Sequence, residues 1–316
     1  MPLAKIQFAP GVNKEGTEYT ADSGWFDSDK IRFREGRVEK IGGWQKLVQS
    51  AFLGVARSIH NWASLESIKY IGVGTNLKFY VTEGNTLNDV TPLRSTTSAG
   101  DVTFAATNGS STITVTDTAH GAVVNDFVTF SDAASLGGNI IAAVLNQEYQ
   151  IASVPTTSTY TIVAKDTSGA EVTANSSDSG NGGSSVVGAY QINTGLNAFV
   201  QGTGFGAGSW GSGTWGSSSS VSAAGQLRLI SQDNFGEDLI FNVRGGGIYY
   251  WDESSGTGTR AINATALGGA SNVPTVALQV MVSDIDQHVI AFGSNPIGSS
   301  NIDPLFVRFS DQQNAA

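Results

Sequence analysis

The sequence predicts an all-β protein in which antiparallel hairpins form β-propeller-like blades, with a small β-sandwich or barrel domain inserted among them. Two observations carry this prediction: three hairpins share one design, and a Thr- and Ser-rich segment between the first and the second holds several short β-type runs. The chain has 316 residues and no cysteine. The fold therefore depends on packing and assembly, without disulfide bonds.

Each of the three hairpins places an aliphatic run before a turn and an aromatic run after it. The first joins Lys69–Val73 to Leu77–Val81, the second spans Leu239–Asp252 around three glycines, and the third spans His288–Phe309 around a longer loop. The last two begin about 50 residues apart, a spacing found among four-stranded propeller blades. The repeated design therefore favours blades.

Residues 95–189 differ in composition from the rest and predict an inserted domain. The segment is rich in Thr, Ser, Ala and Gly and has no Trp. Ile140–Leu145 fits one helical turn or a strand, because period alone cannot assign a short apolar run. The polar stretch Asn175–Ser185 is typical of a flexible linker. Four other runs predict strands: Thr112–Thr116, Asp126–Phe130, Glu148–Ile151 and Thr159–Ala164.

The predicted organisation has three parts: an N-terminal part of the propeller-like domain at 1–94, the inserted domain at 95–189, and the remainder of the propeller-like domain at 190–316. Three hairpins are too few for a closed propeller, which typically has about four to eight blades. We therefore expect the sequence to be a C-terminally truncated portion of a longer protein.

The charge distribution disfavours tight binding of nucleic acid. The chain carries 27 acidic against 17 basic residues, a net charge of -10, which repels phosphates. One basic face stands out at Lys30, Arg32 and Arg34, on a predicted hairpin that turns at Glu35-Gly36. We interpret it as a solvated strand face with Glu35 and Glu39 as cross-strand partners, and a polyanion contact is the alternative. No apolar run is long enough to span a membrane.

Residues that could support catalysis or metal binding are few. His60, His120 and His288 each stand in a turn or beside a strand, and no serine has the context of a nucleophile elbow. The acid pairs Asp27 with Asp29 and Asp284 with Asp286 suit calcium or glycoside hydrolysis, but such positions are also typical of turns. We predict no catalytic residue and no bound metal.

The segment Gln201–Gly216, QGTGFGAGSWGSGTWG, has glycine at nearly every second position. It contains the letters G-x-G-x-x-G at 206–211, but no helix is predicted after them, so no dinucleotide and no other cofactor is expected. Because ordered glycines are entropically costly, its aromatic side chains are expected to anchor the loop by burial. Phe205, Trp210 and Trp215 are therefore our predicted assembly contacts.

Four stretches carry a resemblance to a known family: GTEYTADSGWFDSDKIRFREGRVEKIGGWQKL, the SIHNWASL and KYIGVGTNLKFYV hairpin, GTGFGAGSWGSGTWG, and DPLFVRFSDQQNAA. Together they resemble the tail nozzle, or packaged-DNA stabilisation, family of short-tailed bacteriophages. The resemblance covers residues 1–94 and about 190–316, and the Thr-rich insert is similar to a module of phage tail proteins. It implies a β-propeller whose copies form a ring, usually of six, at the distal end of the tail.

The function that this resemblance implies is structural, without enzymatic activity. A ring would retain packaged DNA and form the channel for its ejection, with transient passage of double-stranded DNA and no specific binding. Its partners would be further copies and adjacent tail or adaptor proteins, in a virion assembled in the host cytoplasm. The alternative is a receptor- or glycan-binding tail protein, which could be a depolymerase and could use Tyr249-Tyr250-Trp251 as a sugar platform. We expect these large aromatic residues to be buried instead.

Overall fold

The computed structural model describes residues 9–20, 24–43, 45–197 and 227–315, nearly all of whose regular structure is β-strand. The predicted all-β class is confirmed. The chain divides into two compact units, Met1–Leu47 and Val48–Ala316. The domain boundaries at 94/95 and 189/190 stay predictions. Among the helices in the described ranges, none is long and apolar enough to cross a membrane.

The first unit contains the predicted basic hairpin, formed by β1 (Ile31–Arg34) and β2 (Arg37–Lys40). Its turn residues Glu35 and Gly36 have φ values of 51° and 75°, as a type I′ turn requires. Arg32 Nη2 lies 3.1 Å from Glu39 Oε2 across the strands. The prediction of Glu39 as a cross-strand partner is therefore confirmed. Glu35, the other predicted partner, occupies the turn instead and forms no ion pair with any described residue.

The first blade is an antiparallel meander of β3 (Ala56–Ala63), β4 (Lys69–Thr75), β5 (Phe79–Glu83) and β6 (Thr86–Asp89). It contains the first predicted hairpin. Thr75 fixes the turn, because its Oγ1 accepts hydrogen bonds from the backbone N–H groups of Leu77 and Lys78 at 3.1 and 2.8 Å.

Nine strands and one helical turn follow before residue 192, in two sheets that share one hydrophobic core. One sheet has the order β11-β10-β15-β7 and the other β12-β13-β9-β8-β14, which makes the insert a β-sandwich. Ile140–Leu145 contains the helical turn. The elements are β7 (Leu93–Thr96), β8 (Thr103–Ala106), β9 (Thr112–Thr116), β10 (Phe127–Ser131), α1 (Ala142–Leu145), β11 (Glu148–Gln150), β12 (Ser153–Thr156), β13 (Thr159–Val163), β14 (Asp178–Asn181) and β15 (Val187–Gln191).

The prediction of a flexible linker at Asn175–Ser185 is wrong. Within it, β14 pairs with β8 in an antiparallel ladder, and the backbone N–H of Ala134 donates to Gly182 O at 2.7 Å. A strand edge presents unpaired backbone groups that any extended segment can satisfy. The polar composition indicated a loop because backbone pairing leaves no hydrophobic signature.

The second and third blades contain the two remaining predicted hairpins. The second blade is a meander of β16 (Ile230–Phe235), β17 (Asp238–Val243), β18 (Ile248–Trp251) and β19 (Ile262–Asn263). The third blade has β20 (Gln279–Val282), β21 (Val289–Phe292) and β22 (Val307–Phe309).

The blades stack face to face through alternating side chains of β17. Leu239 and Phe241 enter the core shared with the first blade, whereas Ile240 enters the core shared with the third. Phe241 stacks on Phe79 of the first blade, with ring centroids 3.9 Å apart and planes within 3°. Because successive strand residues point to opposite faces, the apolar run of β17 buries the second blade on both sides.

The first strands of the three blades are joined by side chains of β16. Gln232 Nε2 donates to Ser58 Oγ of β3 at 3.0 Å. In the other direction, the backbone N–H groups of Val280 and Val282 donate to Ser231 Oγ and Asp233 Oδ2, each at 2.9 Å. Polar residues of β16 therefore bridge both neighbouring blades.

We expect Phe241→Ala to lower the free energy of unfolding by about 3–5 kcal/mol, because it leaves a cavity between two blades. Ile285→Ala is the matched control, because Ile285 is exposed in the connection between β20 and β21, and its cost should stay within about 0.5 kcal/mol. Denaturant titration of both variants measures the difference. Equal effects would contradict the proposed role of the Phe79–Phe241 contact.

Candidate functional site: an open sheet face and a charged junction

The predicted assembly residues Phe205, Trp210 and Trp215 lie outside the residues that the structure describes, as does the G-x-G-x-x-G at 206–211. Their role stays a prediction. The candidate site is therefore built from the blades and the insert.

The aromatic residues of the second hairpin lie mainly in the core. Trp251 is 1 % exposed and Tyr249 is also buried. The Trp251 ring packs edge-on against Tyr70 and Trp62 of the first blade, at centroid distances of 5.6 and 6.1 Å. The expected burial is confirmed for Tyr249 and Trp251, whose rings are occupied by packing instead of being free to stack on a sugar.

The third blade has one covered face and one open face. Val280, Val282, Val289 and Ala291 point into the core shared with the second blade. On the opposite face, Met281, Ile290 and Phe309 lie side by side across the three strands. The open face consists of Met281, Ile290, Phe292, Val307 and Phe309, all partly or largely exposed.

Phe309 is 75 % exposed, in contrast to the buried Tyr249 and Trp251 of the second blade. The residue has the alternation of a core position, but among the described residues no layer packs on its face of the sheet. Contiguous exposed apolar side chains mark interaction surfaces more often than single ones do.

The opposite end of the blade stack also carries exposed apolar side chains. Ile59 of β3 is 75 % exposed, and the neighbouring row of the same face contains the half-buried Ile71 and Leu87. Part of this face is covered, since the backbone N–H of Leu53 donates to Tyr80 Oη at 3.1 Å. We call Ile59, Ile71 and Leu87 the first-blade face.

A charged junction ties the insert to the first two blades. The Lys78 side chain is 4 % exposed, and its Nζ lies 2.6 Å from Asp89 Oδ2 and also binds Glu148 of the insert. Arg260 approaches the same two carboxylates at 3.6 Å. The Lys78 ammonium also lies 4.4 Å from the centre of the Phe127 ring. Two cations and two carboxylates thus compensate each other where blades and insert meet.

The junction controls the protonation of Asp89. Burial on its own would raise the pKa of this carboxyl, but Lys78, Thr91 and Arg260 outweigh it and hold the pKa below its ordinary value. The ionised form is therefore the one that the folded protein stabilises.

The other sequence candidates are not brought together into one site. Asp27 pairs with Lys14 at 2.8 Å, and Asp284 and Asp286 are exposed in the connection between β20 and β21. Across the described ranges, no three His, Asp or Glu side chains converge as a metal site would require. Neither acid pair therefore has a third carboxylate or imidazole beside it within those ranges.

The three histidines make local hydrogen bonds. His60 Nε2 lies 3.2 Å from Asn234 Oδ1, His120 Nδ1 accepts from the backbone N–H of Ala122 at 3.0 Å, and His288 Nδ1 lies 2.7 Å from Ser310 O. His120 lies at a turn and His288 lies just before β21, as the sequence indicates, whereas His60 lies within β3.

Comparison with known proteins gives little. No family model matches the chain and no curated protein matches it. Among solved structures, the phage phi92 endosialidase is similar with a TM-score of 0.24 and 14 % sequence identity, over 79 % of this chain. The match spans 37 % of the length of that protein's chain. A likeness this distant carries no argument about function.

We expect Lys78→Met to destabilise the protein by about 3–5 kcal/mol, because it leaves two partly buried carboxylates without their main cation. Lys30→Met is the control, since Lys30 is exposed and its contact with Asp29 is a surface pair worth about 0–1 kcal/mol. Chemical denaturation monitored by tryptophan fluorescence compares the two. A Lys78→Met variant as stable as Lys30→Met would contradict the role of the junction.

The lowered pKa of Asp89 predicts an acid-dependent loss of stability. A carboxyl with a depressed folded-state pKa stabilises the fold above its unfolded value of about 3.9, and the contribution disappears as pH falls through the folded value. Asp89→Asn should therefore be less stable than the wild type at pH 7, and the difference should shrink below about pH 4. Unfolding midpoints from pH 7 to pH 3 test this, and a pH-independent difference would contradict it.

Proposed function

We propose that this chain is a structural protein of a phage tail, in which copies associate through the open face into a ring that retains packaged DNA and forms its exit channel. The observation that carries the proposal is the open face itself. The ring, the location in a phage tail and the passage of DNA are the parts of the proposal that the family resemblance of the sequence implies.

The open face has the character of a buried sheet surface. In β20 and β21 its apolar side chains alternate with core residues on the other side of the same strands, and in β22 Val307 and Phe309 flank Arg308. A sheet with two apolar faces is stable when a further layer covers the second. A second copy offers such a layer in its first-blade face, where Ile59, Ile71 and Leu87 stand beside the polar Asn61 and Thr82.

A contact between the open face of one copy and the first-blade face of the next joins two different surfaces. Such heterologous contacts produce rings when the rotation closes. The net charge of -10 also fits a channel, because an acidic wall repels duplex phosphates and lets DNA pass without being held.

Light scattering of the purified full chain tests the proposal. We expect closed rings of about six copies, the number that the family resemblance implies, or monomers that form a ring when imaged within assembled tails. The double variant Val307→Ser, Phe309→Ser should stay monomeric and fail to enter the ring. Leu65→Ser is the matched control, since Leu65 is an exposed apolar residue in the β3–β4 turn, and it should assemble normally.

Two outcomes would contradict the proposal. Assembly of the double variant with unchanged size and yield would exclude the open face as the contact. A free trimer that binds soluble glycans would replace the ring with the receptor-binding alternative.

A further inference from the structure

Within the described ranges, the third blade has one strand fewer than the other two. The first and second blades are meanders of four strands, whereas the third has three, and β22 forms its outer edge. Propeller blades are typically four-stranded. The outer edge of β22 is therefore the place where a further strand would extend this sheet.

The backbone groups along that edge are unpaired. The backbone N–H of Ser310 donates to Val289 O at 2.9 Å, and bonded positions alternate with non-bonded ones in an antiparallel pair. In the register of β21 and β22, Arg308 is the next bonded position, so the N–H and C=O groups of Val307 and Phe309 point outwards. No described residue forms a hydrogen bond with these outward groups. They form a template for an added strand.

A cavity of about 460 Å³ lies beside this edge. One wall is the covered face of the third blade, with Ala291 and Arg308, and residues 306–311 border it. The opposite wall consists of Ala264 and residues between 269 and 274, which follow β19 of the second blade. Because side chains of a strand alternate between its faces, every second residue of a strand added to β22 would point into this cavity.

The corresponding space between the first two blades is filled by the chain itself. Val90 directly follows the fourth strand of the first blade and is fully buried in the core that these blades share. Its carbonyl accepts a hydrogen bond from the backbone N–H of Ala261, just before β19, at 3.0 Å. The third blade has no fourth strand within the described ranges to close the same place against the second blade.

Arg308 fixes the two walls of the cavity relative to each other. Its Nη1 donates to Asn295 O at 3.2 Å, and its Nη2 donates to Asn272 O on the opposite wall. The space is therefore held open by hydrogen bonds that are already in place, and an added strand would not have to separate the blades.

The surroundings of the edge are acidic. Asp303 precedes β22 and Asp311 follows it, and both are exposed. Neither forms an ion pair with any described residue. The positive charge of β22 itself, on Arg308, is directed to backbone carbonyls of the cavity walls. Charge complementarity therefore favours a strand with basic side chains.

We propose that the outer edge of β22 binds an extended segment of a second protein, in which apolar and basic residues alternate, as the fourth strand of the third blade. Backbone groups of Val307 and Phe309 pair with the segment, as in other cases of strand addition to a sheet edge. Its apolar side chains enter the cavity. Its basic side chains lie on the other face, with their aliphatic stems against Val307 and Phe309. The inference does not depend on ring formation.

Fluorescence anisotropy of the labelled peptide acetyl-KVKVKV-amide, titrated with the full chain at pH 7, tests the chemistry of the partner. We expect saturable binding that weakens as salt is added. The matched peptides EVEVEV and KSKSKS should each bind at least about tenfold more weakly, because the first reverses the charge and the second lacks apolar side chains. Equal binding of all three peptides would overturn the proposed alternation.

Phe309→Pro and Phe309→Ala are matched variants of the edge, because both remove the aromatic ring and only proline removes the outward N–H. Phe309→Pro should bind KVKVKV about tenfold more weakly than Phe309→Ala, the factor expected for one backbone hydrogen bond. Equal affinities would overturn the proposal. The ring variant Val307→Ser, Phe309→Ser keeps both N–H groups and should still bind the peptide, which separates this inference from ring formation.

If Phe309→Pro does not fold, amide hydrogen exchange of the wild type decides. The amides of Val307 and Phe309 should exchange faster than that of Arg308 in the free protein, and they should slow down on saturation with KVKVKV. Unchanged exchange refutes the proposal. A wild type that does not bind the peptide, and whose molar mass falls with Phe309→Pro but not with Phe309→Ala, would assign the edge to a second copy and would also overturn it.

Discussion

The blade stack depends on the burial of β17 on both faces. A strand whose successive side chains enter two different cores cannot shift register by one residue without exchanging the two sets. Leu239 and Phe241 fit the first blade and Ile240 fits the third, so this strand fixes the order and spacing of all three blades. The open face then follows from where the stack ends.

Local patterns in the sequence predict the strands but not what covers them. The hairpins at Lys69–Val81 and Leu239–Asp252 can be predicted from the sequence because a turn separates two β-type runs. The burial of Trp251 and the exposure of Phe309 cannot be predicted in this way. Both residues follow the same alternation, and only the presence or absence of a further layer distinguishes them. The strand at Asp178–Asn181 cannot be predicted for a related reason. It pairs with β8 through backbone groups, and backbone pairing leaves no hydrophobic pattern in the sequence.

The charged junction illustrates a different limit. Lys78 stands between Leu77 and Phe79, and a lysine inside an apolar run is a visible sign of a buried charge. Its partner Glu148 lies 70 positions away, and nothing local indicates that pairing.

The side chains that β16 extends to β20 also affect how the protein avoids misassembly. The first strand of the third blade would otherwise present free N–H groups along an edge, which is a template for pairing with another chain. Ser231 and Asp233 occupy the N–H groups of Val280 and Val282 without continuing the sheet. Neighbouring blades therefore stay separate sheets, and these two N–H groups of β20 are not open to pairing with another chain.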